Sequence, residues 1–307
     1  MSALERLNKE LSYPGQQALY LTARKKGLEV TRDEVKKLVS SNTAKQEISA
    51  AQPSKGKIAA ETKTSRWQAD LAEFHPRGSG LNKLVYALVV VNVFNRKTYT
   101  RALPDKKPVT LRNAMQSIVQ AAPGETPYTI SSDRGEEFIS PVMREYLASV
   151  DIKQRPKEKG DPNALGVVDK AIQILKKTLF RLKGTEGGDW SSLLARATSS
   201  MNDTPKPEVL HGESHNEVKD QPAVEMMLLE DNARKIKHNN DLTTTRQKAL
   251  NKAGNAFRAP VAIDKKWTKR GFRATYGPVV RASDIENGWV TGIDNKRYDL
   301  KLIKPVG

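Results

Sequence analysis

Apolar positions along the chain change spacing several times, and each spacing predicts a different element. QQALYLTARKK (16–26) has helical spacing and ends at Gly27. TRDEVKKLVSS (31–41) opens on Thr31 with Glu34 three residues on, the pair in which a hydroxyl and a carboxylate each satisfy a free backbone N–H of the first turn. The small, polar stretch 43–64 predicts a linker. RWQADLAEF (66–74) and KTYTRAL (97–103) have strand composition. LVYALVVVNVF (84–94) between them is a nearly unbroken apolar run, as a strand covered on both faces requires. Helical spacing returns at 109–122 through Val109, Leu111, Ala114, Ile118 and Ala121. A short strand follows at 127–133, then a helix from Ser140 with Pro141 in its first turn, and a strand at 151–157. EKGDPNALG (158–166) reads as a loop, and amphipathic helices are expected at 167–183 and 189–202, the second capped by Asp189. Residues 221–250 look mainly helical. Beyond 255 come short alternating segments with turns at Tyr276-Gly277-Pro278, Asn287-Gly288 and Asp294-Asn295, the pattern of a small β-barrel.

The fold class expected is therefore α/β: a mixed-sheet core with a small helical unit before it and an SH3-like barrel after it. The expected parts are a helical unit 1–45, a linker 46–64, the core 65–220, a helical linker 221–251 and a basic C-terminal domain 252–307.

Charge changes the picture. The net charge is +17, but residues 65–230 hold 23 Lys+Arg against 21 Asp+Glu. Residues 1–64 hold 12 against 7, and residues 231–307 hold 17 against 7. Basic flanks around a near-neutral middle suit a polyanion, and nucleic acid is the usual one; a merely solubilising surface is the plainer alternative. The chain contains no cysteine, which excludes disulfides, thiol catalysis and cysteine-ligated zinc. It has no apolar run of about 18 residues, so no membrane span is expected, and the N-terminus lacks a secretory signal. An intracellular protein is expected, nuclear if the host is eukaryotic.

Candidate chemistry sits in three segments. Asp70 lies within the first strand, Asp133 at the end of a later strand, and Asp169 near the start of the long helix after the Gly-containing loop. Strand ends and helix starts of an α/β sheet meet along one edge, so the three can converge. Converging carboxylates can hold two Mg²⁺ or Mn²⁺ ions about 3.5–4 Å apart for phosphoryl transfer. Spacing alone decides little, because about 3.5 acid pairs 36 residues apart are expected by chance in such a chain. Placement on the elements carries the reading. The plainer one is that Asp133 starts a turn and Asp169 favours a helix N-terminus.

At these residues the sequence resembles the integrase core of retroviruses, LTR retrotransposons and Polinton (Maverick) transposons. That family's pattern is an Asp in the first strand, an Asp in a T-D-N-G-x-E-F-like segment, then 35 residues to a Glu. Here W-Q-A-D-L supplies Asp70, S-D-R-G-E-E-F supplies Asp133, and residues 134–168 precede Asp169. Asn202-Asp203-Thr204-Pro205 and the stretch Gly212 to Val218 are similar to a later family segment. FRAPVAID (257–264) and YDLKLIKPV (298–306) look like the Polinton-type tail, and LTARKKGLEVTRDEVKKLV (21–39) like its N-terminal unit. The chain departs from the pattern in having Asp at the third acid, Arg134 for Asn, Asn92 where Asp is common, and His215 for Pro. It also lacks a His/Cys zinc module, so no zinc is expected.

The resemblance implies an RNase H-like catalytic core, a pair of Mg²⁺ or Mn²⁺ ions on Asp70, Asp133 and Asp169, 3′-end processing and strand transfer of mobile-element DNA, and a dimer or tetramer. On the helix of Asp169, Gln173 and Lys176 share its face and Lys170 and Lys177 adjoin it, positions suited to a DNA end; an ordinary solvated face fits Lys170 and Lys177 equally. Loop residues Lys157, Lys159 and Asn163 are candidate clamps beside the metals. Lys265, Lys266, Lys269, Arg270 and Arg273 around Trp267 are candidate phosphate contacts in the C-terminal unit, with Trp267 itself, like Trp67, expected in a core. Two other readings stay open: a catalytically decayed or domesticated integrase that binds DNA or chromatin, and an RNase H-like nuclease that needs no barrel.

Overall fold

A computed structural model of the chain describes residues 1–11, 13–47, 56–74, 84–157, 164–261, 275–286 and 288–306. They form two compact units, one of Gly56–Asn240 and one of Met1–Lys55 with Asp241–Gly307.

The chain opens with α1 (Ala3–Glu10), α2 (Gln16–Lys25) and α3 (Arg32–Ser40), which bury Leu7, Leu19, Ala23, Val35 and Val39 against one another. The reciprocal cap of Thr31 and Glu34 is present, and a second one, Ser2 with Glu5, starts α1, which the spacing had not suggested. A short α4 (Thr43–Glu47) falls where the polar composition predicted linker. Tertiary contact explains it: Gln46 and Glu47 both accept hydrogen bonds from the buried Arg258 side chain.

In the second unit, β1 (Arg66–Glu73), β2 (Tyr86–Asn92), β3 (Thr98–Leu103), α5 (Pro108–Gln120), β4 (Thr129–Ser132), α6 (Glu136–Ile139), α7 (Pro141–Ser149), β5 (Lys153–Pro156), α8 (Gly166–Glu186) and α9 (Trp190–Asp203) follow the predicted alternation. The sheet order is β3-β2-β1-β4-β5, with the pairs β3-β2 and β2-β1 antiparallel and the pairs β1-β4 and β4-β5 parallel. This is the RNase H-like mixed sheet. Strand alternation sends Trp67, Ala69, Leu88 and Val90 to one face under α5 and α7, and Ala72, Ala87, Val89 and Val91 to the other under α8 and α9. Asp189 stands at the N-cap of α9, but its carboxylate takes the Ser191 hydroxyl rather than a backbone N–H, so the expected side-chain cap is absent. Asn202 on α9 ties that helix to the edge strand β3 through both Thr98 N–H (2.9 Å) and Thr98 C=O (2.8 Å).

After α10 (Pro207–Leu210) and α11 (His215–Val218), α12 (Pro222–Lys252) starts in this unit and ends in the other. There β6 (Ala256–Pro260), β7 (Tyr276–Glu286), β8 (Trp289–Gly292), β9 (Arg297–Asp299) and β10 (Lys304–Pro305) form an antiparallel sheet around Phe257, Val290, Leu300 and Ile303. It fits the SH3-like unit expected. The turn expected at Tyr276-Gly277-Pro278 is strand instead: β6 and β7 shift register between Arg258 and Pro260, and this irregularity takes in Gly277 and Pro278 without a reversal of the chain. Among the described residues no helix is long and apolar enough to cross a membrane.

Candidate active site

Three elements bring acidic side chains to one edge of the mixed sheet. On β1 the alternation that puts Ala72 under α8 and α9 puts Gln68 and Asp70 on the same side. Strand β4 runs parallel to β1 with Gln68 opposite Ser131, so Asp70 and Asp133 each stand two residues beyond a matched pair, at one height and on one face. Asp169 lies in the first turn of α8, the helix that covers this face.

What fixes α8 there is a side chain of β1. The N-cap of α8, Leu165, has no side-chain oxygen to offer the free N–H groups of the first turn. Gln68, fully buried, supplies one: its Oε1 accepts from Val167 N–H (3.2 Å) and Val168 N–H (3.1 Å), and its Nε2 donates to Ala164 C=O (2.9 Å). One amide thus couples the strand that carries Asp70 to the helix turn that carries Asp169.

Asp70 feels the charges of both Asp133 and Asp169. Burial raises the Asp70 carboxyl to about 6; the Leu71 N–H opposes this, the charges of Asp133 and Asp169 add to it, and Lys157 offsets part. The Asp169 carboxyl is also raised by burial, with Lys157 pulling the other way. Lys157 follows the end of β5, where its N–H donates to Ser132 C=O (2.7 Å) and its own carbonyl accepts from Arg134 Nε (2.8 Å). The site is a negative cluster with one cation beside it, and hard oxygen donors of this kind fit Mg²⁺ or Mn²⁺. One oxygen each of Asp70 and Asp133 is turned to a backbone N–H, of Leu71 (2.8 Å) and Gly135 (3.0 Å). Among the described residues no three such side chains stand close enough together to grip an ion without moving.

The remaining residues singled out by sequence fall as follows. Gln173 and Lys176 lie four and seven residues after Asp169 on the exposed side of α8, and Lys170 and Lys177 are exposed on adjoining faces. The Lys176 ammonium sits 5.7 Å from the Phe74 ring centre, and Phe74 stacks on Trp190 at 4.3 Å, so this cation is held by the end of the first strand. Lys159 and Asn163 lie outside the described residues, as do Lys265, Lys266, Lys269, Arg270 and Arg273 with Trp267. Trp67 is core, as expected. The residue that sequence reading missed is Gln68. Its signal was there: a polar amide at the position of β1 that shares a face with Asp70, in an otherwise apolar layer.

Residues 60–162 match the family model described as Integrase core domain. The chain is 27% identical over 147 residues to the Gag-Pol polyprotein of Avian reticuloendotheliosis virus, a match covering 47% of this chain and 12% of the polyprotein. It is 26% identical over 206 residues to the Pol polyprotein of Radiation murine leukemia virus (strain Kaplan), covering 64% of this chain and 34% of that protein. The chain thus spans a minor part of the polyproteins it matches. A solved structure, the simian T-cell lymphotropic virus intasome in complex with PP2A regulatory subunit B56 gamma, contains a chain with TM-score 0.67 at 16% identity, with 99% of each chain covered. At that identity the likeness is one of fold.

Proposed function

From an integrase core domain at residues 60–162, we propose that this chain is a DNA integrase that processes the 3′ ends of mobile-element DNA and joins them to target DNA. The observation that carries the proposal is the placement of Asp70 on β1, Asp133 at the end of β4 and Asp169 in the first turn of α8, with the charges of the last two reaching Asp70. These three carboxylates would hold two Mg²⁺ or Mn²⁺ ions, which when bound activate the attacking water or 3′-hydroxyl and stabilise the departing oxygen. The chain's own part is placement. Gln68 fixes the Asp169 turn against β1, and Lys157, whose charge reaches Asp70 and Asp169, is proposed as the cation for a scissile phosphate.

Gln173 and Lys176, with Lys170 and Lys177 beside them, form a polar and basic line leading from the acids along α8, suited to the phosphates of a DNA end. Lys159 and Asn163 are proposed as clamps on the strand end. Lys265, Lys266, Lys269, Arg270 and Arg273 are proposed as sequence-independent phosphate contacts. Joining two element ends to one target needs at least two such sites, hence a dimer or tetramer.

The test is to incubate the purified protein with blunt duplex oligonucleotides and Mn²⁺ or Mg²⁺. Shortened 3′ ends and joined products are expected, and Asp70→Asn, Asp133→Asn and Asp169→Asn should each abolish both. A protein that binds the duplex yet yields no product with either ion would leave a nucleic-acid-binding derivative in place of the enzyme.

A further inference from the structure

The opposite end of the strand that bears Asp70 carries the reverse charge. The turn between β2 and β3 holds Arg96 in the left-handed region (φ 63), pinned by Arg96 N–H to Asn92 C=O (2.9 Å) and Phe94 N–H to the Asn92 side chain (2.9 Å). This backbone is unusual for a residue other than Gly, Asn or Asp. It places the guanidinium with a buried Nη1 that has no hydrogen-bond partner among the described residues. Burial lowers the guanidinium to about 10.

Three more basic groups gather around it: Lys206 before α10, His215 at the start of α11 and Lys235 on α12, each within reach of the Arg96 charge. His215 is spoken for. Its Nδ1–H donates to Asn95 C=O and its Nε2 accepts from the Lys206 ammonium, so it is neutral and acts as a stay for that lysine. Burial and neighbouring cations lower the imidazole to about 3, which keeps it in this form, and lower the Lys206 ammonium to about 8. Around Lys235 the charges of Arg96, Lys57 and Arg234 are positive and Asp231 alone is negative. Asp231 is already taken by Arg234 and His211, and Glu125 by Lys97 (3.4 Å) and the Tyr99 hydroxyl (2.9 Å). Cations removed from water without a counter-ion are unfavourable, and a guanidinium N–H buried with no acceptor is more so.

We propose that Arg96, Lys206 and Lys235 form an oxyanion site for a phosphate group, separate from the carboxylate centre. Arg96 carries the planar fork that fits a tetrahedral oxyanion, and the two lysines add point charge near it. Arg96, Lys206 and Lys235 each keep part of their surface in contact with solvent, although Arg96 Nη1 itself is buried. The site cannot share a phosphate with Asp70: Asn92 pairs with Trp67, three strand positions or about 10 Å from Asp70, and Arg96 lies beyond that in the turn. The source can be a DNA backbone phosphate or free phosphate, and the site does not depend on the catalytic reading.

The test uses the full chain unfolded thermally in potassium phosphate and in potassium chloride of matched ionic strength and pH. Phosphate should raise the melting temperature of the wild type in a saturable way. Arg96→Gln, Lys206→Met and Lys235→Met should each weaken the apparent phosphate affinity at least tenfold. If Arg96→Gln does not fold, the two lysine variants still decide. No phosphate response in the wild type, or an equal response in wild type and variants, overturns the proposal. A second arm assigns the source: in the Lys206→Met/Lys235→Met double variant the slope of log affinity against log salt for duplex DNA should fall by about two if the phosphate is DNA's. An unchanged slope with a lost phosphate response assigns the site to the free anion.

Discussion

At the scale of single residues, two side chains show how burial decides what a position can be. Asn92 stands where the family pattern often has Asp, yet here it is fully buried, with its amide nitrogen donating to Lys63 C=O (2.8 Å) and its oxygen accepting from Phe94 N–H. An ionised carboxylate cannot donate, so Asn92→Asp should destabilise the fold by about 2–4 kcal/mol, read as a lower denaturation midpoint in urea. Asp70 bears the opposite strain. Its carboxyl is raised from 3.8 to about 6, so between those values the folded chain keeps a proton that the unfolded chain has released. Without divalent ions, stability from this group falls as pH rises through that window and stays reduced above it. Asp70→Asn should therefore be more stable than the wild type at pH 7 by roughly 1–3 kcal/mol, with the gap closing by about pH 4, measured by urea unfolding in chelator. A variant less stable at pH 7 would refute this account of Asp70.

At the scale of elements, the coupling of β1 to α8 through Gln68 is the joint on which site geometry depends. Gln68→Leu removes three hydrogen bonds and leaves two helix N–H groups without their acceptor. A loss of about 2–4 kcal/mol is expected, together with at least a tenfold drop in Mg²⁺-supported joining that Mn²⁺ partly restores, because Mn²⁺ tolerates a looser donor set. An equal fall with both ions would make Gln68 a stability residue only. The helices and strands of the core were legible because their periods are long and clean: the apolar run of β2 and the stripe of α8 each have one interpretation. What was not legible was set by distant partners. Residues 43–47 are helical because Arg258 needs Gln46 and Glu47, and Gly277-Pro278 is absorbed into a strand by an irregular register rather than making a turn. The three acids could be chosen from placement and resemblance. For their joint, Gln68, the sequence offered only a polar amide on the Asp70 face of β1; its partners, the backbone at the start of α8, lie about a hundred residues away and are marked by nothing local.

At the scale of the whole molecule, charge is arranged by role. Residues 65–230 are nearly neutral overall, yet the unit that contains them holds a negative cluster about Asp70 and a positive one about Arg96, the latter completed by Lys235 from the basic stretch 231–307, which carries 17 Lys+Arg against 7 Asp+Glu. If that excess tracks DNA phosphates, replacing Lys265, Lys266, Lys269, Arg270 and Arg273 together by Gln should lower the salt slope of duplex binding by about four to five and weaken all sequences alike. An unchanged slope, measured by fluorescence anisotropy over a salt series, would show that these cations do not meet the backbone. The central claim, that Asp70, Asp133 and Asp169 share divalent ions, is tested most directly by titrating the full chain with Mn²⁺ and following free ion by electron paramagnetic resonance. Two ions per chain are predicted for the wild type, with binding weakened at least tenfold in each single Asp→Asn variant. Mn²⁺ binding that all three variants retain at wild-type strength would contradict it.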